Sequence, residues 1–265
     1  MPSDGPSNAR VQQAWDEAAL GYDAYFGPRF APYLGAAVGA LLARQSQLPD
    51  GALLVPCVGP GRELAPLARA FPARPILASD LSTTMVGRAR ERTLAYANVS
   101  LEQADATALE KPAGGAAALL SVFGLQLLPD PTKTLIAWLD LLAPGGLAVI
   151  VLWPREAEAS GPFHSMRGLL RRAGLADGDW EGQLVPSALA AGNRLISDAP
   201  LCFEMAHESS AAMWQALTHL GPLRGLMLAR GEAFMAKLGQ EFVAELPHGP
   251  LSHTPAARLL IIERG

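Results

Sequence analysis

The chain has 265 residues, half of them hydrophobic and 17% charged, with a formal net charge of −4. It is long enough to bury a sizeable core and too apolar to be disordered. Its acidic balance argues against a non-specific nucleic-acid binder, which needs a concentrated basic face. Arg88, Arg90 and Arg92 cluster, but Glu91 stands among them, the pattern of a solvated helix face. Two cysteines, Cys57 and Cys202, cannot build a disulfide framework and are expected reduced and buried. Residues 1–10 lack the basic-then-apolar order of a secretory signal, and the most apolar run, 30–43, falls short of the ~20 residues of a membrane span. The expectation is a soluble, cytoplasmic protein with no membrane partner.

In chain order, residues 1–7 read as a frayed tail, and Asn8 caps a helix to about residue 20. Residues 21–28 (Gly-Tyr-Asp-Ala-Tyr-Phe-Gly-Pro) read as an aromatic loop, either a clamp on the domain or a lid over a ligand. A second helix, 31–44, leads to the turn Pro49-Asp50-Gly51. Leu53, Leu54 and Val55 form a short buried strand, followed by Gly59, Gly61 and a helix over 62–71. Strand, glycine turn and helix let backbone approach a polar ligand at a helix N-terminus. The next strand, 75–79, ends in Asp80, about 20 residues beyond Gly59, where nucleotide-binding sheets place a carboxylate for ribose hydroxyls.

Ser82 caps a helix to about residue 96; strands follow at 99–104, ending at Asp105-Ala106, and at 116–123. Asp130-Pro131 starts a helix that Pro144-Gly145-Gly146 stops, and 147–153 is a fully apolar fifth strand. Beyond it the rhythm breaks: a helix at 163–173, a Gly- and Asp-rich loop around Trp180, and a short helix near 186–191. Strand 201–206, helices 209–220 and 225–245, and a last strand 258–262 complete the series. Alternation at this pace predicts an α/β fold, a parallel sheet with helices on both sides. A helical cap (1–48), a core (49–153), a lid-like insertion after strand five (154–200) and a C-terminal part of the core (201–265) make one domain.

These residues carry a resemblance. From Trp15 to the last strand the series resembles a class I S-adenosylmethionine-dependent methyltransferase of small-molecule type. The motifs are Ala19–Asp23, the Gly59/Gly61 turn, Asp80-Leu81-Ser82 with Met85, Gln103-Ala104-Asp105-Ala106, residues 125–131 and Leu142-Ala143-Pro144-Gly145-Gly146. The resemblance implies a single Rossmann-like doubly wound sheet, mostly parallel with an antiparallel last strand, and S-adenosylmethionine as cofactor. The turn Cys57–Gly61, with Cys57, Gly59 and Gly61, would back onto its methionine part, and Asp80 would accept from the ribose. Leu81 and Met85 would lie on the adenine, Asp105 would hold the adenine amino group with the Ala106 backbone beside it. Tyr22 would cover the methionine end, and backbone around Phe123 would approach the sulfonium. The chain departs from the family where an acid and a glycine usually stand: here Val55 and Cys57, a Val-Pro opening similar to that of thiopurine-type methyltransferases. Gln126 replaces the usual histidine.

Methyl transfer needs positioning more than a catalytic acid, and a base of near-neutral pKa helps a phenol, carboxylate or amine acceptor. His164, His207, His219, His248 and His253 are the candidates. His164 has Phe163 and Trp153 as neighbours for a pocket wall, and no catalytic residue is assigned. Arg167, Arg171 and Arg172 can meet an acidic group or form a solvated face. Residues 22–33, 153–195 and 213–235 are rich in apolar side chains, which points to a small apolar acceptor. No cluster has metal-ligand spacing. The alternatives are a non-catalytic cofactor-binding scaffold, supported by Val55 and Cys57, and a nicotinamide dehydrogenase, against which Asp105 and Pro144-Gly145-Gly146 speak.

Overall fold

In the computed structural model of the chain, which describes residues 7–174 and 178–265, the first element overturns the local reading. Helix α1 runs unbroken as Asn8–Leu42, so residues 21–28 are helix and not loop. Gly27 and Pro28 are breakers in isolation. Pro28 is exposed, however, and so is Ala24, whose carbonyl loses its partner to the missing N–H and can turn to water. On the buried side, Tyr22, Phe26 and Phe30 stack one turn apart, with ring centroids 6.0 Å and 5.3 Å apart. Aromatic burial along that stripe outweighs one lost hydrogen bond. The tail at 1–6 and residues 175–177 of the loop expected before Trp180 lie outside the described residues.

The chain then runs β1 (Leu53–Pro56), α2 (Leu64–Ala70), β2 (Ile76–Asp80), α3 (Thr83–Thr93), β3 (Val99–Gln103), β4 (Ala116–Val122), α4 (Pro131–Asp140) and β5 (Leu142–Leu152). The caps are as expected: Ser82 Oγ accepts from Met85 N–H, and Asp130 from Lys133 N–H, with Pro131 opening α4. Pro144-Gly145-Gly146 lies inside β5, not before it. The pairing with β4 jumps from Ala116↔Leu142 to Ala118↔Leu147, and Gly145, at φ 76°, donates its N–H to Arg264 O. The glycines absorb a bulge in a strand already under way.

Next come α5 (Pro162–Arg172), α6 (Glu181–Ala190), β6 (Arg194–Cys202), β7 (Met205–His207), α7 (Ser210–Leu217), α8 (Gly221–Arg230), α9 (Glu232–Ala244), β8 (Leu251–His253) and β9 (Ala256–Glu263). The strand expected at 201–206 is thus two strands in different sheets, and the helix expected at 225–245 breaks at Gly231, φ 85°.

Seven strands form one sheet in the order β3-β2-β1-β4-β5-β9-β6, and β7 and β8 make a separate antiparallel pair. Pairings among β1 to β5 are parallel, while β9 runs antiparallel to β5. This is the expected doubly wound sheet with an antiparallel last strand. Cys202, expected buried, is exposed, because β6 is the sheet's edge and its residues alternate outward.

The described residues divide into two units. One holds the sheet: residues 31–152, 179–201 and 258–265. Its core joins Leu119, Ile150, Leu152 and Leu260 of the strands to Leu135, Trp138 and Leu139 of α4 and Leu184 of α6. The other comprises the described residues within 1–30, 153–178 and 202–257, and is mainly helical, with Phe26, Met213, Leu217 and Phe242 fully buried. Among the described residues no helix is long and apolar enough to cross a membrane.

Candidate functional site

In the sheet unit the strand order reverses between β1 and β4, and a crevice beyond the carboxyl ends of these strands is where open α/β sheets bind ligands. Both ends carry a side chain in the left-handed backbone region: Cys57 at φ 55° after β1, and Phe123 at φ 61° after β4. Such a conformation costs a residue with a Cβ about 1–2 kcal/mol, and strain of this kind gathers at functional sites. Gly59 (φ 53°) and Gly61 (φ 72°) complete the turn after Cys57. A side chain on Gly59 would meet open space, whereas one on Gly61 would collide with Ala89 of α3. One glycine therefore leaves room over the turn, and the other lets it close onto the helix.

Asp80, at the end of β2, holds the turn. Its Oδ2 accepts the Gly59 N–H at 2.8 Å, and Oδ1 accepts Ser82 N–H at 2.9 Å. Asp105, past the end of β3, accepts from Thr107 N and Thr107 Oγ1 through Oδ1, at 2.8 and 2.7 Å. The Ala106 carbonyl accepts the Trp138 indole N–H at 2.8 Å, which pins that backbone to α4. Leu81 is half-buried, with its carbonyl taking the Gln103 amide. Met85 is buried in α3, a core position. The Phe123 ring lies 5.5 Å from Tyr33.

Electrostatics bind these residues into one neighbourhood. Burial, then Asp80, then Asp105 push the Cys57 thiol far above its ordinary value, so it stays protonated. Its side chain packs on the core and on Gly124 rather than out over the turn. Glu63, which no local sequence pattern singles out, is also buried here. Burial, with a smaller contribution from Asp80, raises its carboxyl to about 7.

The remaining candidates belong to the helical unit. Tyr22, expected in a loop, is in α1, its ring 5.5 Å from Trp15 and 6.2 Å from Phe30. Of the histidines, His164 and His248 are exposed, and His219 is half-buried against Gly21 of α1. His207 and His253 are buried, side by side on β7 and β8, with Nε2 atoms 3.1 Å apart. They lie on diagonal positions of the pair, since His207 is opposite Leu251 and His253 opposite Met205. Tyr25 Oη is 2.7 Å from His207 Nδ1, and Glu158 Oε2 is 2.7 Å from His253 Nδ1. Sequence reading named the two histidines but neither Tyr25 nor Glu158, which no local spacing connects to them. Among the described residues no group of three or more His, Cys, Asp or Glu is placed to hold a metal ion.

Residues 54–146 match the family model described as a methyltransferase domain. No curated protein matches the chain. Similar solved structures include the magnesium protoporphyrin IX methyltransferase of Synechocystis PCC 6803 with bound S-adenosylmethionine, at 13% identity and TM-score 0.61, with 100% of both chains covered. The geranyl diphosphate C-methyltransferase of Streptomyces coelicolor A3(2), in complex with Mg2+, geranyl diphosphate and S-adenosylhomocysteine, matches at 13% identity and TM-score 0.60 over 99% of both chains. The [4+2]-cyclase SpnF matches at 18% identity and TM-score 0.51, over 84% of this chain and 78% of its own. At such identities the likeness speaks for the fold, and a cyclase among the matches shows that the fold hosts more than one reaction.

Proposed function

We propose that this chain, which carries a class I S-adenosylmethionine-dependent methyltransferase domain, passes the methyl group to a small, largely apolar acceptor by positioned in-line displacement. The observation that carries the reading is the pair of strained residues, Cys57 and Phe123, at the carboxyl ends of the two strands where the sheet order reverses. The donor set fits the cofactor: a tight turn with two left-handed glycines, and carboxylates at the ends of β2 and β3.

In this reading Asp80 accepts from the ribose while it fixes the Gly59 backbone, and Asp105 takes the adenine amino group. The turn 57–61 receives the methionine part, and Leu81 and the Ala106 backbone flank the adenine. Met85 supports that wall from the core. When bound, the cofactor supplies an electrophilic methyl group on a sulfonium whose departure as a neutral thioether removes charge. The protein's part is to align the acceptor and exclude water; orientation alone can supply ~7–11 kcal/mol. The apolar composition of 22–33, 153–195 and 213–235 supports a small apolar acceptor.

Calorimetric titration with S-adenosylmethionine, S-adenosylhomocysteine and NAD tests this, with Asp80→Ala as control. Micromolar binding of the two sulfur ligands alone, lost in the variant, is the expected result. No binding of either by the unmodified protein would overturn it.

A further inference from the structure

We propose that Glu63 sets which form of the cofactor the turn 57–61 prefers: ionised, it favours S-adenosylmethionine over S-adenosylhomocysteine, and protonated it does not, an inference that rests on the methyl-transfer reading above. Every residue concerned lies in the sheet unit. Glu63 follows the turn directly, and two residues of chain place it at most ~7 Å from Gly61. It is buried, and the buried residues of the helix that it leads into are Leu64, Leu67 and Ala68. A carboxyl set beside such side chains costs stability, and ionisable groups perturbed in this way gather at functional sites.

Two other charged groups hold the turn itself. Asp80 Oδ2 accepts the Gly59 N–H at 2.8 Å, and Arg92 of α3 donates through Nη1 to the Pro60 carbonyl at 2.6 Å. Between them the backbone is closed by Val58 N–H to Ser79 O at 3.0 Å and by Gly61 N–H to Val58 O at 3.1 Å. Both charges reach Glu63. Burial raises its carboxyl to about 7 and Asp80 adds to the rise, while its own backbone N–H and Arg92 oppose it. Of the other ionisable groups on these elements, Cys57 stays protonated, Arg69 is turned to Tyr96 Oη and Arg90 to Leu101 O. Arg62 beside it, and Arg88 and Glu91 on α3, complete the set.

Charge accounts for the preference. With Glu63 protonated, Asp80 and Arg92 cancel; with Glu63 ionised, the three carry one net negative charge beside the turn. The two ligands share their adenosine and amino-acid parts and differ by the methyl group and the positive charge on sulfur. Only S-adenosylmethionine therefore gains from the added negative charge, and by reciprocity it holds Glu63 in the ionised form. Two unit charges ~10 Å apart at an effective dielectric constant of ~20 change an equilibrium roughly tenfold, which salt and water reduce to about threefold or more. The sign follows. Glu63 ionises at lower pH in the complex than in the ligand-free protein, so the added preference is absent well below pH 7 and grows as pH rises to about 7.

The test is calorimetric titration of the full chain with S-adenosylmethionine and with S-adenosylhomocysteine between about pH 5.5 and about pH 8. The ratio of the two affinities is expected to rise about threefold or more across that range in the unmodified protein, and to do so less in Glu63→Gln, where only the ligands' own ammonium groups titrate. In Arg92→Gln the rise should persist with its midpoint at higher pH, because the cation that opposes protonation of Glu63 is gone. Carboxyl carbon NMR of the unmodified protein, which needs no variant to fold, should show one buried carboxyl with a midpoint of about 7 that moves down when S-adenosylmethionine is added. A ratio that does not change with pH, an equal rise in Glu63→Gln, or no carboxyl midpoint above the ordinary carboxylate range overturns the proposal. An unmodified protein silent toward both ligands sinks the methyl-transfer reading itself, which keeps the two failures apart.

Discussion

A methyl group on Gly124 would lie 2.5 Å from Cys57 Cβ and 3.1 Å from Cys57 Sγ. The side chain that the turn after β1 carries at 57 thus occupies space left by a hydrogen at 124. This is how a Cys fits in the turn: it turns into the core beside Phe123-Gly124 and leaves the space over Gly59 open.

The first prediction follows. Gly124→Ala should cost about 1–3 kcal/mol by overpacking. In a Cys57→Gly background most of that cost should disappear, since the colliding atoms are gone. Cys57→Gly alone should be close to neutral, because relief of about 1–2 kcal/mol of left-handed strain offsets lost packing and a freer unfolded chain. Urea denaturation of the four proteins of this cycle gives the coupling. Additive effects would mean that the two residues do not share this space.

The second concerns Pro28. It sits on the exposed side of α1, where a proline costs about 3 kcal/mol relative to alanine in a helix interior. Against that, proline restricts the unfolded chain by about 0.4–1 kcal/mol. Pro28→Ala should therefore stabilise by about 2–3 kcal/mol, read as a higher denaturation midpoint at constant m. Gly21→Ala, also in α1, should do the opposite, because its methyl would run into the His219 ring. A proline variant no more stable than the parent would show that the helix yields at this point.

The same two positions show where the sequence was opaque. β1 to β5, the caps at Ser82 and Asp130 and the carboxylates at 80 and 105 are local features, each readable from a few neighbours. Gly21, Gly27 and Pro28 are local signals too, and they misled, because the stripe of Tyr22, Phe26 and Phe30 that keeps the helix going acts through tertiary burial. Tyr25, Glu158, His207 and His253 come from α1, the segment after β5, and two short paired strands. Only the fold brings them together.

The third prediction uses pH. Burial raises the Glu63 carboxyl to about 7 in the folded protein, against the ordinary 4.5 that it regains on unfolding. Between these values the folded state holds a proton that the unfolded state has lost, so this group's contribution falls as pH rises through the window. The shift corresponds to up to about 3 kcal/mol. His207 works the other way: its lowered folded value makes stability rise with pH from about 4 toward the ordinary histidine range. The unmodified protein's profile mixes the two slopes. The difference between it and Glu63→Gln isolates the first, and the variant should gain relative stability steadily from pH 4.5 to 7. A constant difference would show that Glu63 is ionised throughout.

The fourth prediction separates the two carboxylates proposed for the cofactor site. Asp80 spends one oxygen on Gly59 N–H and the other on Ser82 N–H. An asparagine there must aim its NH2 at one of these donors, so Asp80→Asn should destabilise the cofactor-free protein by about 1–3 kcal/mol, the cost of an unmet buried polar group. Asp105 takes both Thr107 donors on a single oxygen. Asparagine can keep both of these bonds on its carbonyl oxygen, so Asp105→Asn should cost the cofactor-free protein less than Asp80→Asn does. Each variant should lose about tenfold or more in affinity for S-adenosylmethionine, one charge-assisted hydrogen bond's worth. Denaturation without ligand and calorimetry with it measure the two effects separately. Equal stability losses would put Asp105 in the fold's support, and unchanged affinity in either variant would remove that residue from the cofactor site.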